Sequence, residues 1–132
     1  MEKGITILFA DDDADDRKFF FEAVKEIDDT IKCIGAANGK EALRYLKNEA
    51  LPLPDYIFLD LRMPGISGQE CLEEIKKDGN LMHIPVIVYT TSREVEESIK
   101  LKKLGAVHFM SKPDSPDEIY YMVSFVLGEK WD

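Results

Sequence analysis

Residues 5–13 read Ile-Thr-Ile-Leu-Phe-Ala-Asp-Asp-Asp, an apolar run that stops abruptly at three consecutive acids. The run Ile5–Ala10 is strand-sized and lacks strict alternation, which suits a parallel strand buried on both faces. Asp13 suits the N-cap of a following helix, because its carboxylate can accept from a free backbone N–H of the first turn, and Asp16 stands three residues on. Strand, acids and helix start make one βα unit.

The unit recurs along the chain. Ile31–Ala36, Tyr56–Leu59, Val86–Tyr89 and Ala106–Met110 are further apolar runs, and Asn38, Ser67, Thr91 and Ser115 are the matching helix starts. Glu41, Glu70, Glu94 and Glu118 follow those four at the capping-box spacing, and Pro116 takes the favoured first helical position. Five alternating strands and helices imply right-handed crossovers and helices on both faces of one sheet. The expected fold is α/β, a (βα)5 doubly wound five-stranded parallel sheet of flavodoxin-like order.

The joints Leu51-Pro52-Leu53-Pro54, Asp78-Gly79-Asn80 and Leu104-Gly105 are too short for interdomain linkers. With 132 residues, 45% of them hydrophobic, the chain is expected to form one domain over 1–132 with no output domain. Seventeen Lys and Arg against 26 Asp and Glu leave a net charge of −9, which opposes direct binding to nucleic acid or to an anionic membrane. No spanning-length apolar stretch or signal-peptide pattern occurs, so a cytoplasmic location is expected. Cys33 and Cys71 read as buried thiols, and His83 and His108 lack neighbouring zinc-ligand types.

In a parallel sheet all the strands' carboxyl ends open onto one edge, where such folds bind ligands. Asp11-Asp12-Asp13, Asp60, Thr90 and Lys112 would therefore converge in one crevice. Adjacent carboxylates repel one another, and a hard divalent cation, Mg²⁺ for choice, would neutralise them; equally, Asp13 caps while Asp11 and Asp12 stay solvated. Beside Mg²⁺, Asp60 could attack a phosphoryl group and form an aspartyl phosphate. With Thr91 committed to a capping box with Glu94, Thr90 is the hydroxyl left to face a phosphoryl oxygen. Lys112 would be held by the acids and could neutralise transferred phosphate. A cis Lys112–Pro113 bond would aim it there, and the sequence leaves the isomer open.

ILFADDD with Arg17, FLDLRMPGISG around Asp60, VIVYTTS ending its strand at Thr90, and GAVHFMSKP around Lys112 together resemble the receiver domain of two-component response regulators. The likeness runs from about Thr6 to Leu127, and the spacing agrees, with 30 residues from Asp60 to Thr90 and 22 more to Lys112. That resemblance implies a switch rather than a turnover enzyme. Asp60 would be the phosphoacceptor, taking its phosphoryl group from a sensor histidine kinase or a histidine phosphotransfer protein. Asp12, Asp60 and the Arg62 carbonyl would hold Mg²⁺, with Asp11 acting through metal-bound water. Thr90 and Lys112 would bind phosphoryl oxygens, and Phe109 would be the switch aromatic. Phosphorylation would then bias the face formed by the fourth helix, fifth strand and fifth helix toward a downstream protein target or a homodimer.

Thr91 replaces the small alanine of many receivers, which would narrow access to the phosphoryl group, and Arg62 occupies a place that tunes dephosphorylation in the family. The run Asp13-Ala14-Asp15-Asp16 with Thr90-Thr91-Ser92 is most similar to stand-alone receivers that pair with phytochrome-type or other soluble kinases. In the last helix Ile119, Met122, Val123 and Val126 share a core face. Tyr121 and Phe125 form a second stripe, lying over neighbouring loops or serving as a docking or homodimer face.

Two other readings stay open. A flavodoxin-like electron carrier shares the element order but needs a hydroxyl- and Gly-rich phosphate loop where this chain has three aspartates. An aspartyl-nucleophile phosphatase would need nucleophile and acid-base Asp two residues apart, a spacing that only Asp11 and Asp13 provide, and usually a cap over the site.

Overall fold

The computed structural model describes residues 4–91 and 94–128. Its elements alternate without exception: β1 (Thr6–Ala10), α1 (Ala14–Ile27), β2 (Lys32–Ala36), α2 (Gly39–Leu46), β3 (Tyr56–Leu59), α3 (Gly68–Lys77), β4 (Val86–Thr90), α4 (Val95–Lys103), β5 (His108–Ser111) and α5 (Asp117–Gly128). The strands pair in parallel in the order β2-β1-β3-β4-β5. This is the five-stranded doubly wound sheet expected from the alternation of apolar runs and helix starts.

Strand pleating divides the interior into two cores, because successive side chains leave opposite faces of a sheet. Leu8, Ile57, Leu59, Val86 and Val88 meet Leu43, Leu72, Ile75 and Leu101 from α2, α3 and α4. Ile7, Phe9, Phe58, Ile87 and Tyr89 meet Phe20, Val24, Ile119, Val123 and Val126 from α1 and α5. Phe9 and Phe20 stack there with ring centroids 4.2 Å apart. Both-face burial holds for β1 and β4 along their whole length but fails for β2, an edge strand with exposed Lys32 and Gly35. Met122, expected in the core stripe of α5, is only partly buried against it.

Three of the five expected caps form. Asp13 accepts from the N–H groups of Asp15 and Asp16, Asn38 from that of Glu41, and Ser67 makes a reciprocal capping box with Glu70. The Thr91–Glu94 box does not form, since Glu94 is itself the N-cap of α4, with extended backbone at φ −76° and ψ 123°. Ser92 of that stretch lies outside the described residues. At α5 the chain enters through a tight turn, with Glu118 N–H bonded to Ser115 O and Ile119 N–H to Pro116 O, so the helix proper starts at Asp117 and Pro116 precedes it.

β5 begins at His108 rather than Ala106 because the preceding residues finish α4. Gly105, at φ +119°, and Ala106 return their N–H groups to Lys102 O and Leu101 O, a Schellman-type closure, and the ladder resumes only at Val107. No cis peptide bond occurs among the described residues, so Lys112–Pro113 is trans and the lysine reaches the acids without the cis geometry entertained from the sequence.

Gly68 lets α3 start directly against the end of β3. A Cβ there would collide with the carbonyl oxygen of Asp60 and lie 2.6 Å from Leu61 Cα. Gly68→Ala is therefore expected to cost about 2–4 kcal/mol in urea denaturation, because backbone rather than a flexible side chain must move. A loss under about 0.5 kcal/mol would contradict this packing.

Candidate functional site

The ladder extends one step past the strands and clamps the main chain of the site. Asp11 N–H bonds Ala36 O at 3.0 Å, Asp60 N–H bonds Ala10 O at 2.9 Å, and Lys112 N–H bonds Thr90 O at 2.7 Å. The carboxyl ends of β1, β3, β4 and β5 thereby present Asp11, Asp60, Thr90 and Lys112 along one edge. Asp11, Asp60 and Thr90 are all buried.

Lys112 ties the edge together. Its Nζ lies 2.7 Å from Asp11 Oδ2, 2.8 Å from Asp16 Oδ2 and 3.5 Å from Asp60 Oδ2. The ammonium also sits over the Tyr89 ring, 5.8 Å from its centroid. On its other oxygen Asp11 accepts from Asp13 N–H at 2.9 Å, and Arg17 Nη1 donates to the Asp11 carbonyl. Asp60 Oδ1 accepts a long bond, 3.4 Å, from Arg62 N–H, while the Arg62 side chain points to the surface.

The charges do not balance. Burial pushes the Asp60 carboxyl up to about 6, with the Asp11 charge adding to the rise and Lys112 opposing it. Burial likewise raises Asp11, whose carboxylate is wholly shielded from solvent, despite the Lys112 ammonium beside it; Asp11 Oδ2 meets that ammonium as an ion pair and has no hydrogen bond of proper geometry. For Lys112 burial disfavours the ammonium, yet its bonds to Asp11 and Asp16 and the charges of Asp11 and Asp60 outweigh that and lift its pKa. The lysine is firmly cationic, and the two buried carboxylates remain under-neutralised.

Asp11, Asp12 and Asp60 each offer a carboxylate oxygen, and these oxygens lie within 4.8 Å of one another. Hard oxygen donors at that separation, with residual negative charge, fit a cation such as Mg²⁺ or Mn²⁺. Asp13 turns away to cap α1 and Asp12 is exposed, but Asp11 is wholly buried rather than a solvated turn residue.

Thr90 is fully buried at the end of β4, whereas Thr91 is exposed. Phe109 is half-buried on β5 and packs against the core beneath α4 rather than in the acidic crevice. Asp16 is the site residue the sequence reading missed, having served there only as the acid following the Asp13 cap. A signal was available, since helical side chains lean toward the N-terminus and α1 starts at the crevice. Tyr121 and Phe125 lie beside β5 rather than over loops; they are 72% and 53% exposed, Phe125 resting against the His108 ring with centroids 5.7 Å apart.

Cys71 is buried as expected but Cys33 is only half-buried, and burial pushes each thiol up to about 11. No described helix is long and apolar enough to cross a membrane.

The response regulator receiver domain family model matches residues 7–124. Among curated relatives, the phosphate regulon transcriptional regulatory protein PhoB of Pseudomonas aeruginosa is 32% identical over 124 residues, 94% of this chain and 52% of that protein. Response regulator Rcp1 of Synechocystis is 31% identical over 121 residues, 89% of this chain and 82% of that protein. The Mn²⁺-bound crystal structure of Rcp1 superposes with a TM-score of 0.83 at 29% identity, covering 92% of this chain and 91% of Rcp1. The phosphorylated cyanobacterial phytochrome response regulator RcpA superposes with a TM-score of 0.87 at 26% identity, covering 94% and 91%. The chain spans between 32% and 52% of the length of the first three curated relatives.

A carboxyl raised to about 6 in the fold from 3.8 binds more protons folded than unfolded between those values, so stability is lost as pH rises from about 4 and the loss is complete above about 6. In metal-free protein Asp60→Asn should thus stabilise the fold by about 1–3 kcal/mol at pH 7, the gain vanishing below about pH 4. Urea titrations at the two pH values check this, and an equal effect at both would refute the desolvation argument.

Proposed function

This chain belongs to the response regulator receiver family, and from that membership we propose that Asp60 accepts a phosphoryl group from the phosphohistidine of a sensor histidine kinase or a histidine phosphotransfer protein. The observation that carries the reading is a buried carboxylate at the end of β3, with Lys112 3.5 Å away and two further aspartates beside it.

An Asp60 oxygen attacks phosphorus, a P–O bond forms, the P–N bond breaks, and the electron pair returns to the imidazole nitrogen. Asp60, with its carboxyl near 6, is mostly ionised at neutral pH while more basic than an ordinary carboxylate. Asp12 and Asp60, with the main-chain carbonyl of Arg62, would hold Mg²⁺, and Asp11 would support it from behind. Bound there, the cation supplies charge neutralisation for the incoming phosphoryl oxygens. Lys112 and the Thr90 hydroxyl would bind those oxygens as they arrive. The Mn²⁺-bound and phosphorylated neighbours favour this assignment.

Receiver domains are signalling switches, and we assign this chain that role rather than turnover. No observation favours the two alternatives. A phosphatase would need Asp11 as nucleophile, but its carboxylate is ion-paired with Lys112 and sealed from solvent. A flavin phosphate would meet an α1 N-terminus already capped by Asp13.

Thr90 moving toward the phosphoryl group would free space for Phe109, shifting the α4–β5–α5 face. That face exposes Val95, Ile99, Tyr121 and Phe125, which suits docking of a downstream protein or a second copy. The phytochrome-linked neighbours suggest a phytochrome-type kinase as donor, and the cytoplasmic setting expected from the sequence would suit it.

Acetyl phosphate with Mg²⁺ should add one phosphoryl group by intact mass, and Asp60→Ala or omission of metal should abolish the adduct. No adduct under any condition would remove the proposal. Replacing Tyr121 and Phe125 together by Ser should leave that adduct intact while weakening phosphorylation-dependent self-association in ultracentrifugation; unchanged association would discount the face.

A further inference from the structure

The geometry points to Asp16 as a positioning residue that restrains Lys112 on the α1 side of the crevice and so weakens its grip on a phosphoryl group at Asp60. The inference deepens the proposed function and rests on it.

An ammonium has three N–H donors, and charge-assisted bonds to carboxylates settle at about 2.7–2.9 Å. Asp16 accepts one of them at 2.8 Å, Asp11 holds the ammonium in a 2.7 Å ion pair whose Oδ2 lies outside hydrogen-bond geometry, and Asp60 is left at 3.5 Å. The lysine is therefore displaced toward α1 and away from the acceptor. Drawing Nζ across from 3.5 Å to full contact with a phosphoryl oxygen on Asp60 moves it away from the α1 side and lengthens one of the two short contacts.

Exposure decides which one yields. The Asp11 side chain is wholly buried and cannot be rehydrated in place, whereas that of Asp16 is 35% exposed and can exchange the lysine for water. Asp16 reaches across 96 residues of sequence from the first turn of α1 to do this. It belongs to the unmodified state, where it stabilises the parked lysine; after phosphoryl transfer the same charge competes with the phosphoryl oxygens for the same cation. Asp15, its neighbour in that turn, is exposed and carries the same charge without the ion pair.

Beryllofluoride, a phosphoryl mimic, titrated by calorimetry at saturating Mg²⁺ tests this in the intact chain. Asp16→Asn should bind it roughly five- to tenfold tighter, given a partly exposed charged contact, and Asp16→Glu should stay near the parent value. Asp15→Asn should leave affinity unchanged. Unchanged or weaker binding in folded Asp16→Asn would overturn the inference, as would equal tightening in Asp15→Asn, which would mean bulk charge rather than the ion pair. Failure of the parent protein to bind beryllofluoride at all would instead overturn the phosphoacceptor reading.

Discussion

The geometry of the candidate site follows from the parallel ladder continuing one residue beyond β1, β3 and β5. Because Asp11, Asp60 and Lys112 are still hydrogen-bonded through their main-chain N–H groups to Ala36, Ala10 and Thr90, their side chains emerge from a rigid edge rather than from loops. A rigid edge cannot splay its carboxylates apart to relieve repulsion. Desolvation then raises Asp60 and Asp11, and one lysine must serve several acids. The strain is electrostatic, held in place by two cores that bury β1, β3 and β4 from both faces.

The fold was legible because its signals are local and repeated. An apolar run followed by a capping residue occurs five times, and β1, β3 and β4 fall within a residue of where that reading put them. The misplacements share a cause: residues with two plausible owners. Ala106 and Val107 read as strand, but Gly105 and Ala106 close α4 through its free carbonyls. Glu94 reads as the third residue of a helix and is instead its cap, since β4 keeps its extended form through Thr90. β2 read as buried because burial depends on strand order, which periodicity does not encode.

The site was legible as a set of strand-end residues and illegible in its pairings. Asp11, Asp12, Asp60 and Lys112 come together as the motif order implied. Asp16 was invisible in that role because its partner is remote in sequence, and a first-turn acid already has a sufficient local explanation in the helix dipole. Nor does any residue pattern reveal that the Lys112 ammonium sits 0.8 Å farther from Asp60 than from Asp11, the difference between 3.5 and 2.7 Å.

The two sides of the sheet are unequally anchored, and that inequality bears on how a change at the edge would travel. α1 and α5 pack on one another over the aromatic core, with Phe20 seated against Phe9, Phe58 and Tyr89. Among the described residues, α4 contributes one fully buried side chain, Leu101, and starts without a side-chain cap bond, while β5 beside it is an edge strand of four residues. Elements with few buried contacts sit at the low-stability end of a fold and move at least cost. In the proposed switch, Thr90 at the crevice and Phe109 under α4 join the stiff edge to this loosely held face, so a force applied at Asp60 meets its least resistance there. The acidic crevice supplies the force, and the thin packing of α4 and β5 decides where it goes.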